Sequence, residues 1–385
     1  MEKVIDKKLC TGCTACMSVC PVQAIQMEND LDGFKYPIIN QEKCVNCSMC
    51  KKTCPVLNTK NNYSITNCFV GYNKDTKSKL SKASSGSIFE LVANYVLDSN
   101  GIVIGAAFDE KNKLKHMAVT KAEDLEKLKG SKYLQSDLEY VFKFIKEKLR
   151  DNIILFVGTP CQVAGLKAYI KNDFNNLICI DVVCHGVPSP KLFDKFIKEI
   201  QDQTGKTVKN YNFRDKRTGW DTYSNTIYFN DNSEKTELQV NNPYMKLFLS
   251  DVALRESCYN CKFKLGNKYS DITLGDFWGV QKYYPEMYDK NGVSAIIVNT
   301  ERGKNIFDKI KGNMYYKKCK LEEIVEGNSS LKISGDYPRK RKKFFNNIDN
   351  MSITNLVSKY TFNPNILIKV VKKIKKIIKN IIKNN

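Results

Sequence analysis

Two runs of cysteine near the amino terminus constrain this chain more than any other feature of its sequence. Both have the spacing Cys-x2-Cys-x2-Cys-x3-Cys-Pro. Three thiolates at steps of three residues can bind one cubane, whereas the fourth, held before proline, reaches the other cubane. The spacing therefore predicts two [4Fe-4S] clusters. Their ligands are Cys10, Cys13, Cys16 and Cys54 for the first cluster, and Cys20, Cys44, Cys47 and Cys50 for the second.

Zinc and disulfides are the alternative uses of closely spaced cysteines. A structural zinc site is typically built from two separated pairs of cysteine, and disulfides do not require the same spacing twice. We therefore prefer the interpretation as iron–sulfur ligands. Residues 1–60 are predicted to form a two-cluster ferredoxin domain, which transfers electrons.

Composition and charge indicate a reducing compartment and argue against a nucleic-acid partner. Fifteen cysteines in 385 residues, with no apolar signal segment after Met1, are typical of metal ligands in a cytoplasmic protein. The formal charge is +21, but residues 339–385 hold thirteen Lys or Arg and one acidic residue. The rest of the chain is only moderately basic, so we expect no nucleic acid as partner.

The basic C-terminal segment, residues 336–385, is predicted to be a helical tail. From Leu367 to Ile382 apolar residues recur at i, i+3, i+4 and i+7, and seven lysines, the last of them Lys383, fill the remaining face. Such an amphipathic helix can lie on an anionic lipid surface. A helix docked on its own domain and a solvated basic end are the alternatives. The hypothesis is a cytoplasmic protein that attaches peripherally to the inner face of the membrane.

Between these two segments the sequence alternates strand-like and helical patterns. Short apolar runs at 102–108, 153–157 and 177–183 have the length of buried parallel strands. Helical periodicity follows them, and Ser189 with Pro190 is typical of a helix start. The alternation predicts a larger domain of the α/β (α+β) class behind the small ferredoxin domain.

Six short segments occur together in one order, and this combination is specific although none of the pieces is. They are Ser84–Phe89, Lys129–Gln135, Gly158–Gln162, Cys184–Gly186, Cys258–Cys261 and Leu274–Gly279. In this combination residues 66–335 resemble the beta subunit of coenzyme F420 hydrogenase/dehydrogenase, in a version with a fused ferredoxin domain. The resemblance implies a flavoprotein in which FAD lies beside an iron–sulfur cluster. It also implies electron transfer between one-electron carriers and a two-electron acceptor, either the deazaflavin coenzyme F420 or another conjugated small molecule.

Four further cysteines are predicted to supply the ligands of a third cluster. Cys161 and Cys184 each follow an apolar strand, where α/β sheets gather ligands, and the pair Cys258 and Cys261 needs two more ligands. Together they provide the four thiolates of one further cubane. As an alternative, Cys161 and Cys184 are small buried apolar residues. In a rival interpretation Cys161 is a nucleophile at a helix start, with His185 as its base.

The segments that carry the resemblance also contain the candidate flavin contacts. A serine-rich helix start can bind phosphate through free backbone N–H groups, although most such starts only cap their own helix. The lysine and tyrosine after position 128 add charge and stacking, and a solvated loop is the alternative. Ser87 stands where the family has a second glycine. The predicted FAD contacts are Ser85, Gly86, Ser87, Lys129, Ser131, Tyr133, Thr159 and Gln162, and His185 is the predicted proton donor near the flavin.

On these grounds we expect a flavin-dependent iron–sulfur oxidoreductase. Ferredoxin or a partner subunit would exchange electrons with the N-terminal clusters, and FAD would exchange a hydride equivalent with a small-molecule substrate. From a different functional class, the alternative is a non-catalytic electron-transfer subunit of a larger redox complex. The sequence names neither the substrate nor the direction of electron flow.

Overall fold

The computed structural model describes residues 3–59, 67–75, 83–265 and 268–361. Thirteen strands in this part of the chain, β1–β13, are Ile25–Asn29, Lys35–Ile39, Asn67–Asn73, Ile102–Phe108, Leu114–Val119, Ile154–Gly158, Leu177–Val182, Val208–Asp215, Ser224–Phe229, Glu234–Leu238, Ile272–Asp276, Ser294–Val298 and Met314–Lys318. Its α-helices, α1–α12, are Ala15–Val19, Met49–Thr53, Ile88–Asp98, Val141–Lys148, Pro160–Ile170, Pro190–Thr204, Pro243–Leu249, Val280–Tyr283, Glu301–Ile310, Leu321–Gly327, Arg341–Asn347 and Ile353–Tyr360. Short 3₁₀ helices are Ala122–Lys127, Lys216–Thr218, Glu256–Asn260, Pro285–Met287, Lys311–Asn313 and Ser329–Leu331. Within these residues no helix has the length and apolar character needed to cross a membrane.

An eight-stranded mixed sheet forms the centre of the fold, in the order β13-β3-β12-β11-β7-β6-β4-β5. The four central strands β11, β7, β6 and β4 are parallel, and antiparallel strands flank them on both sides. Helices α3 and α9 cover one face of this sheet, and α4 and α5 cover the other. Because both faces are covered, the central strands are continuous apolar runs. The predicted α/β fold class is confirmed.

The three predicted parallel strands agree with β4, β6 and β7 to within one residue. Strand β4 has the predicted bounds, and α6 begins after Ser189, whose Oγ accepts a hydrogen bond from the Lys191 N–H at 3.1 Å. Strands β10 and β13 were not predicted. Most of their side chains are exposed, so they lack the alternation of a half-buried strand on which such a prediction depends.

Residues 3–59 form a small unit of two helices and one hairpin that shares its core with the larger domain. Strands β1 and β2 pair antiparallel, and α1 contacts α2. Phe34 is fully buried in an apolar cluster with α6 and α7, and its ring lies 6.3 Å from that of Phe345. Ala15 is buried against α4 and α5. The unit is therefore packed into the larger domain, while residues 60–66, where the predicted domain boundary falls, lie outside the described residues.

The chain beyond residue 335 contributes to the same core. Helices α11 and α12 bury Phe344, Ile348 and Leu356 in the apolar cluster that contains α6 and α7. The first part of the segment predicted as a basic helical tail is thus helical and packed. The amphipathic stretch predicted from Leu367 to Ile382 lies outside the described residues.

Candidate functional site

Both N-terminal cysteine runs follow the same backbone path. Thr14 and Ser48, directly before α1 and α2, have left-handed φ angles of 62° and 59°. The two helices end at Cys20 and Cys54, whose extended ψ angles of 113° and 117° turn the chain away. The prolines that follow cannot continue a helix. The fourth cysteine of each run therefore leaves its own loop and lines the cavity of the other run.

The first predicted ligand set lines one cavity. Cys10, Cys13, Cys16 and Cys54 surround an empty volume of about 330 Å³ between the hairpin and the two helices. Burial, together with repulsion from neighbouring thiols, raises the pKa of Cys13 to about 12 and that of Cys16 well above its ordinary value. Such a site disfavours four free thiolates, so it suits a cationic iron core that compensates their charge.

The second predicted set lines a similar cavity closer to solvent. Cys20, Cys44, Cys47 and Cys50 surround an empty volume of about 340 Å³. Cys47 is exposed, whereas three of the four cysteines of the first set are buried. The second site is therefore the more accessible of the two to another molecule.

The third predicted set is brought together from three separate parts of the chain. Cys161 follows β6 in the first turn of α5, and Cys184 follows β7. Cys258 lies in the 3₁₀ helix Glu256–Asn260, and Cys261 directly follows that helix. The four line a cavity with an empty volume of about 540 Å³. Burial raises the pKa of Cys184 and of Cys258 to about 12. The cavity lies at the carboxyl ends of the parallel strands, where α/β sheets bind their ligands.

The arrangement of cysteines suits clusters of several iron atoms. In the part of the chain that is described, no three His, Cys, Asp or Glu side chains are arranged to hold a single metal ion. Each four-cysteine set instead surrounds a cavity of several hundred cubic ångströms. In a cubane each thiolate binds a different iron, so its ligands surround such a volume.

The first and third cavities are neighbours. Thr11 lines both of them. Cys13 packs on Gly165 of α5, the helix that begins beside Cys161, and a Cβ atom at Gly165 would lie 2.8 Å from the Cys13 Sγ. The first and second sets are linked through α1 and α2, since each helix contributes a cysteine to one set and is followed directly by a cysteine of the other. No described residue lines both the second and the third cavity. The three cavities therefore form a row, with the first in the middle.

The rival interpretation of Cys161 as an activated nucleophile does not agree with its surroundings. Burial raises the pKa of the Cys161 thiol, where a helix start alone was expected to lower it. His185 lines the same cavity but contacts other groups. Its Nε2 lies 2.5 Å from Asp251 Oδ1 and its Nδ1 lies 3.2 Å from Ser330 Oγ. His185 is thus held beside the third cysteine set, not as a base on the thiol.

The serine-rich helix start is tightly packed. Ser85 Oγ donates to the Val293 carbonyl at 2.8 Å, and the Gly86 N–H donates to Ser294 Oγ at 3.0 Å. A Cβ atom at Gly86 would lie 2.6 Å from the Gly71 carbonyl oxygen. Glycine is required here by contact with β3, so a bulky substitution would disturb the fold directly and cannot test flavin binding.

The conformation and contacts of Ser87 explain how serine can stand where the family has a second glycine. It precedes α3 with a left-handed φ of 61°, a conformation that glycine adopts at little cost. Its buried Oγ donates to Glu90 Oε2 at 2.7 Å. Compared with glycine, serine adopts this left-handed conformation at a higher cost but adds one hydrogen bond to the first turn of the helix.

The other predicted flavin contacts surround this helix start and the start of α5, and each has partners within the protein. Lys129 Nζ contacts Glu90 at 2.7 Å and Glu126 at 2.6 Å. Tyr133 stacks on Phe248 with ring centroids 5.2 Å apart. The remaining contacts are between the Ser131 N–H and Ser84 Oγ, the Thr159 N–H and Gln162 Oε1, and Gln162 Nε2 and Ser136 Oγ. Thr159 and Gln162 form a capping box at the start of α5.

Comparison with known proteins agrees with this architecture. Residues 151–324 match the family model for the carboxyl-terminal part of the beta subunit of coenzyme F420 hydrogenase/dehydrogenase. Residues 9–58 match a 4Fe-4S dicluster domain. The resemblance seen in the sequence is confirmed.

Two similar proteins come from Methanosarcina species. The F subunit of F(420)H(2) dehydrogenase from Methanosarcina mazei is 24% identical over 336 residues, which cover 82% of this chain and 86% of that protein. A chain from the F420-reducing [NiFe] hydrogenase complex of Methanosarcina barkeri has 20% sequence identity and a TM-score of 0.47. The match covers 69% of this chain and 91% of that one.

A buried polar cluster in the larger domain was not predicted as functional. Arg214 forms a bidentate pair with Asp276, at 2.8 and 3.0 Å, and lies over the rings of Tyr223 and Trp278. Its Nη1 also donates to the Tyr133 hydroxyl at 3.3 Å, and its buried Nε has no hydrogen-bond partner among the described residues. Asp276 ends β11, so the cluster lies at the same sheet edge as the third cavity. The sequence feature that could have indicated this cluster is the charged run Arg214-Asp215-Lys216 inside a strand-like segment.

Proposed function

We propose that this chain is an iron–sulfur flavoprotein oxidoreductase that passes electrons between a one-electron carrier and a two-electron acceptor. The observation that carries the proposal is the row of three cavities, each lined by one complete four-cysteine set. A single structural metal site requires no such succession. Electron transfer does, because it needs redox centres close to one another between the surface and the reacting group.

The residues of the three sites would act in sequence. Cys47 brings the second site to the surface, where electrons can be exchanged with a ferredoxin or a partner subunit. The buried first set holds the centre next to it. The third set, which shares Thr11 with the first, lies at the sheet edge beside the proposed flavin contacts. The [4Fe-4S] clusters would carry single electrons, and FAD would couple pairs of them to hydride-equivalent transfer.

The proposed flavin site lies at the sheet edge formed by the carboxyl ends of the parallel strands. The predicted contacts from Ser85 to Gln162 would form this site together with the Arg214 cluster. The buried, unpartnered Nε of Arg214 is a donor that supports a ligand there. His185, hydrogen-bonded to Asp251, would hold the proton for the reaction. Coenzyme F420 is the proposed acceptor, since the names of the matching family and of the similar Methanosarcina mazei protein contain it.

Iron and flavin analysis of anaerobically purified protein tests this proposal. Three cubanes correspond to about twelve iron atoms per chain, and denaturation should release FAD. The double variant Cys258→Ser and Cys261→Ser should lose about four iron atoms while the N-terminal clusters remain. Cys179→Ala removes a buried cysteine that belongs to no set and serves as the control. Unchanged iron content in the double variant would disprove the third cluster.

The second candidate is a non-catalytic electron-transfer subunit of a larger complex. It is favoured by the names of the matching family and of the similar Methanosarcina mazei protein, both of which denote subunits. Turnover separates the two candidates. Purified chain that reduces coenzyme F420 with an artificial one-electron donor is an enzyme by itself, whereas chain that accepts electrons without turnover is a transfer subunit.

A further inference from the structure

Three arginines are buried in the described part of the chain, and one of them has no carboxylate partner. Arg214 contacts Asp276 at 2.8 Å, and Arg341 contacts Asp32 at 3.0 Å. Arg255 is 1% exposed. No carboxylate of a described residue lies within salt-bridge distance of its guanidinium group.

The guanidinium of Arg255 is instead held against the first cysteine set. Nε donates to the Cys10 carbonyl at 2.7 Å, Nη2 to the Lys35 carbonyl at 3.0 Å, and Nη1 to Gln135 Oε1 at 3.1 Å. Nη2 also lies 3.8 Å from Cys10 Sγ. The group stands 4.1 Å from the ring centre of Tyr36. Apart from the sulfur, every hydrogen-bond acceptor named here is neutral.

Arg255 also contacts the third site. Arg255 is among the residues that line that cavity, and its backbone carbonyl accepts from the Cys258 N–H at 2.9 Å. The approach to the first site is close, because a Cβ atom at Gly12 would lie 2.9 Å from Arg255 Nη1. The guanidinium group therefore lies between the first and third cysteine sets.

A buried cation without an opposite charge is costly, and proteins normally pair it. The neutral acceptors satisfy the N–H groups of Arg255 but do not compensate its charge. A cubane held by four thiolates carries net negative charge, and Cys10 of the first set provides the sulfur that the guanidinium group contacts, at 3.8 Å from Nη2. A cluster at the first site would therefore supply the missing counter-charge of Arg255.

We propose that Arg255 is the buried counter-cation of the cluster at the first site and raises its reduction potential. This rests on the proposed binding of that cluster. Reduction adds one electron, supplied from the second site, and no proton. A fixed positive charge stabilises the more negative reduced form, and both net charge and hydrogen bonds to sulfur set such potentials. Because of this higher reduction potential, electrons would collect at the first site, in the middle of the row, before they pass to the third site.

Potentiometric titration of the anaerobic full-length protein, monitored by electron paramagnetic resonance, tests this role. Arg255→Gln should make reduction of one cluster about tenfold less favourable, which corresponds to about 59 mV for one electron. The signals of the other clusters should keep their potentials. Arg255→Lys, which preserves the charge, should retain at least half of the effect of arginine.

The matched control is the double variant Asp32→Asn with Arg341→Gln. It removes another buried arginine, together with its partner, from the same contact between the two parts of the chain. Its cluster potentials should remain those of the unchanged protein. A general effect of lost packing would instead lower potentials in this variant too.

The outcomes distinguish the two levels of inference. A folded Arg255→Gln protein with unchanged cluster potentials would overturn the role of Arg255. So would an Arg255→Lys protein whose cluster potential is lowered as far as that of the Gln variant. Loss of about four iron atoms in the Gln variant but not in the Lys variant supports it, whereas equal loss in both variants overturns it. Iron-free wild-type protein would contradict the proposed clusters themselves.

Discussion

At the scale of single residues, pairs of neighbouring side chains explain positions that looked ambiguous in the sequence. Lys129 was a candidate for flavin phosphate, and it is bound by Glu90 and Glu126. Its pKa is raised by these two carboxylates despite its burial. The lysine is therefore charged at neutral pH, and part of its role is to fix the first turn of α3.

Ser87 offers a residue-scale prediction. At φ 61° a side chain is strained, and its hydroxyl bonds to Glu90. Ser87→Ala keeps the strain and loses the hydrogen bond, whereas Ser87→Gly loses the bond but relieves the strain. The Gly variant should therefore have a free energy of unfolding about 1 kcal/mol higher than the Ala variant. Urea unfolding of both under anaerobic conditions measures the difference, and equal midpoints would show that the turn is unstrained.

At the scale of elements, helices α11 and α12 decide where the packed part of the chain ends. The many basic residues after position 338 made the core-facing side of these two amphipathic helices hard to recognise in the sequence. Their apolar side chains complete the core around α6 and α7. Their lysines occupy the exposed face, as in any surface helix.

The contribution of α11 to the core gives a prediction at this scale. Phe344 is fully buried, so Phe344→Ala should lower the free energy of unfolding by about 3–5 kcal/mol. Lys342→Ala, on the exposed face of the same helix, should change it by less than about 0.5 kcal/mol. Thermal unfolding of the intact, cluster-loaded protein compares them. Similar melting temperatures for the two variants would mean that the helix is not part of the cooperative unit.

At the scale of the whole molecule, the row of cysteine sets runs from the exposed Cys47 to the carboxyl edge of the central sheet. In the proposed function, a one-electron carrier would bind near Cys47, and a small-molecule acceptor would bind at this edge, where α/β sheets bind small molecules. The two partners would therefore bind at separate places.

The basic C-terminal sequence gives a prediction for the whole chain. We expect full-length protein to sediment with anionic liposomes at low salt, since each lysine near such a surface contributes about 1 kcal/mol. A chain that ends at Phe362 should remain in the supernatant, and neutral liposomes should retain neither protein. Equal binding of the two chains to anionic lipid would assign the attachment to another surface.

The sequence by itself determined what depends on short-range spacing. The steps Cys-x2-Cys-x2-Cys are local, so the ligand sets, the strand 102–108 and the helix start at Ser189 could be predicted from residues next to one another. The third set was also predictable, because two of its cysteines follow strands whose carboxyl ends must meet in a parallel sheet.

Only the tertiary structure decided which buried charges meet. Arg255 and Cys10 are far apart in the chain, and no periodicity relates them. The same holds for Arg214 and Asp276, and for Cys13 on Gly165. Such contacts arise when separate elements pack, and the cost of burying a charge then selects its partner. The spacing of the N-terminal cysteines thus predicted how they group into two sets, and packing alone set the order of the three sites and the position of the Arg255 cation between two of them.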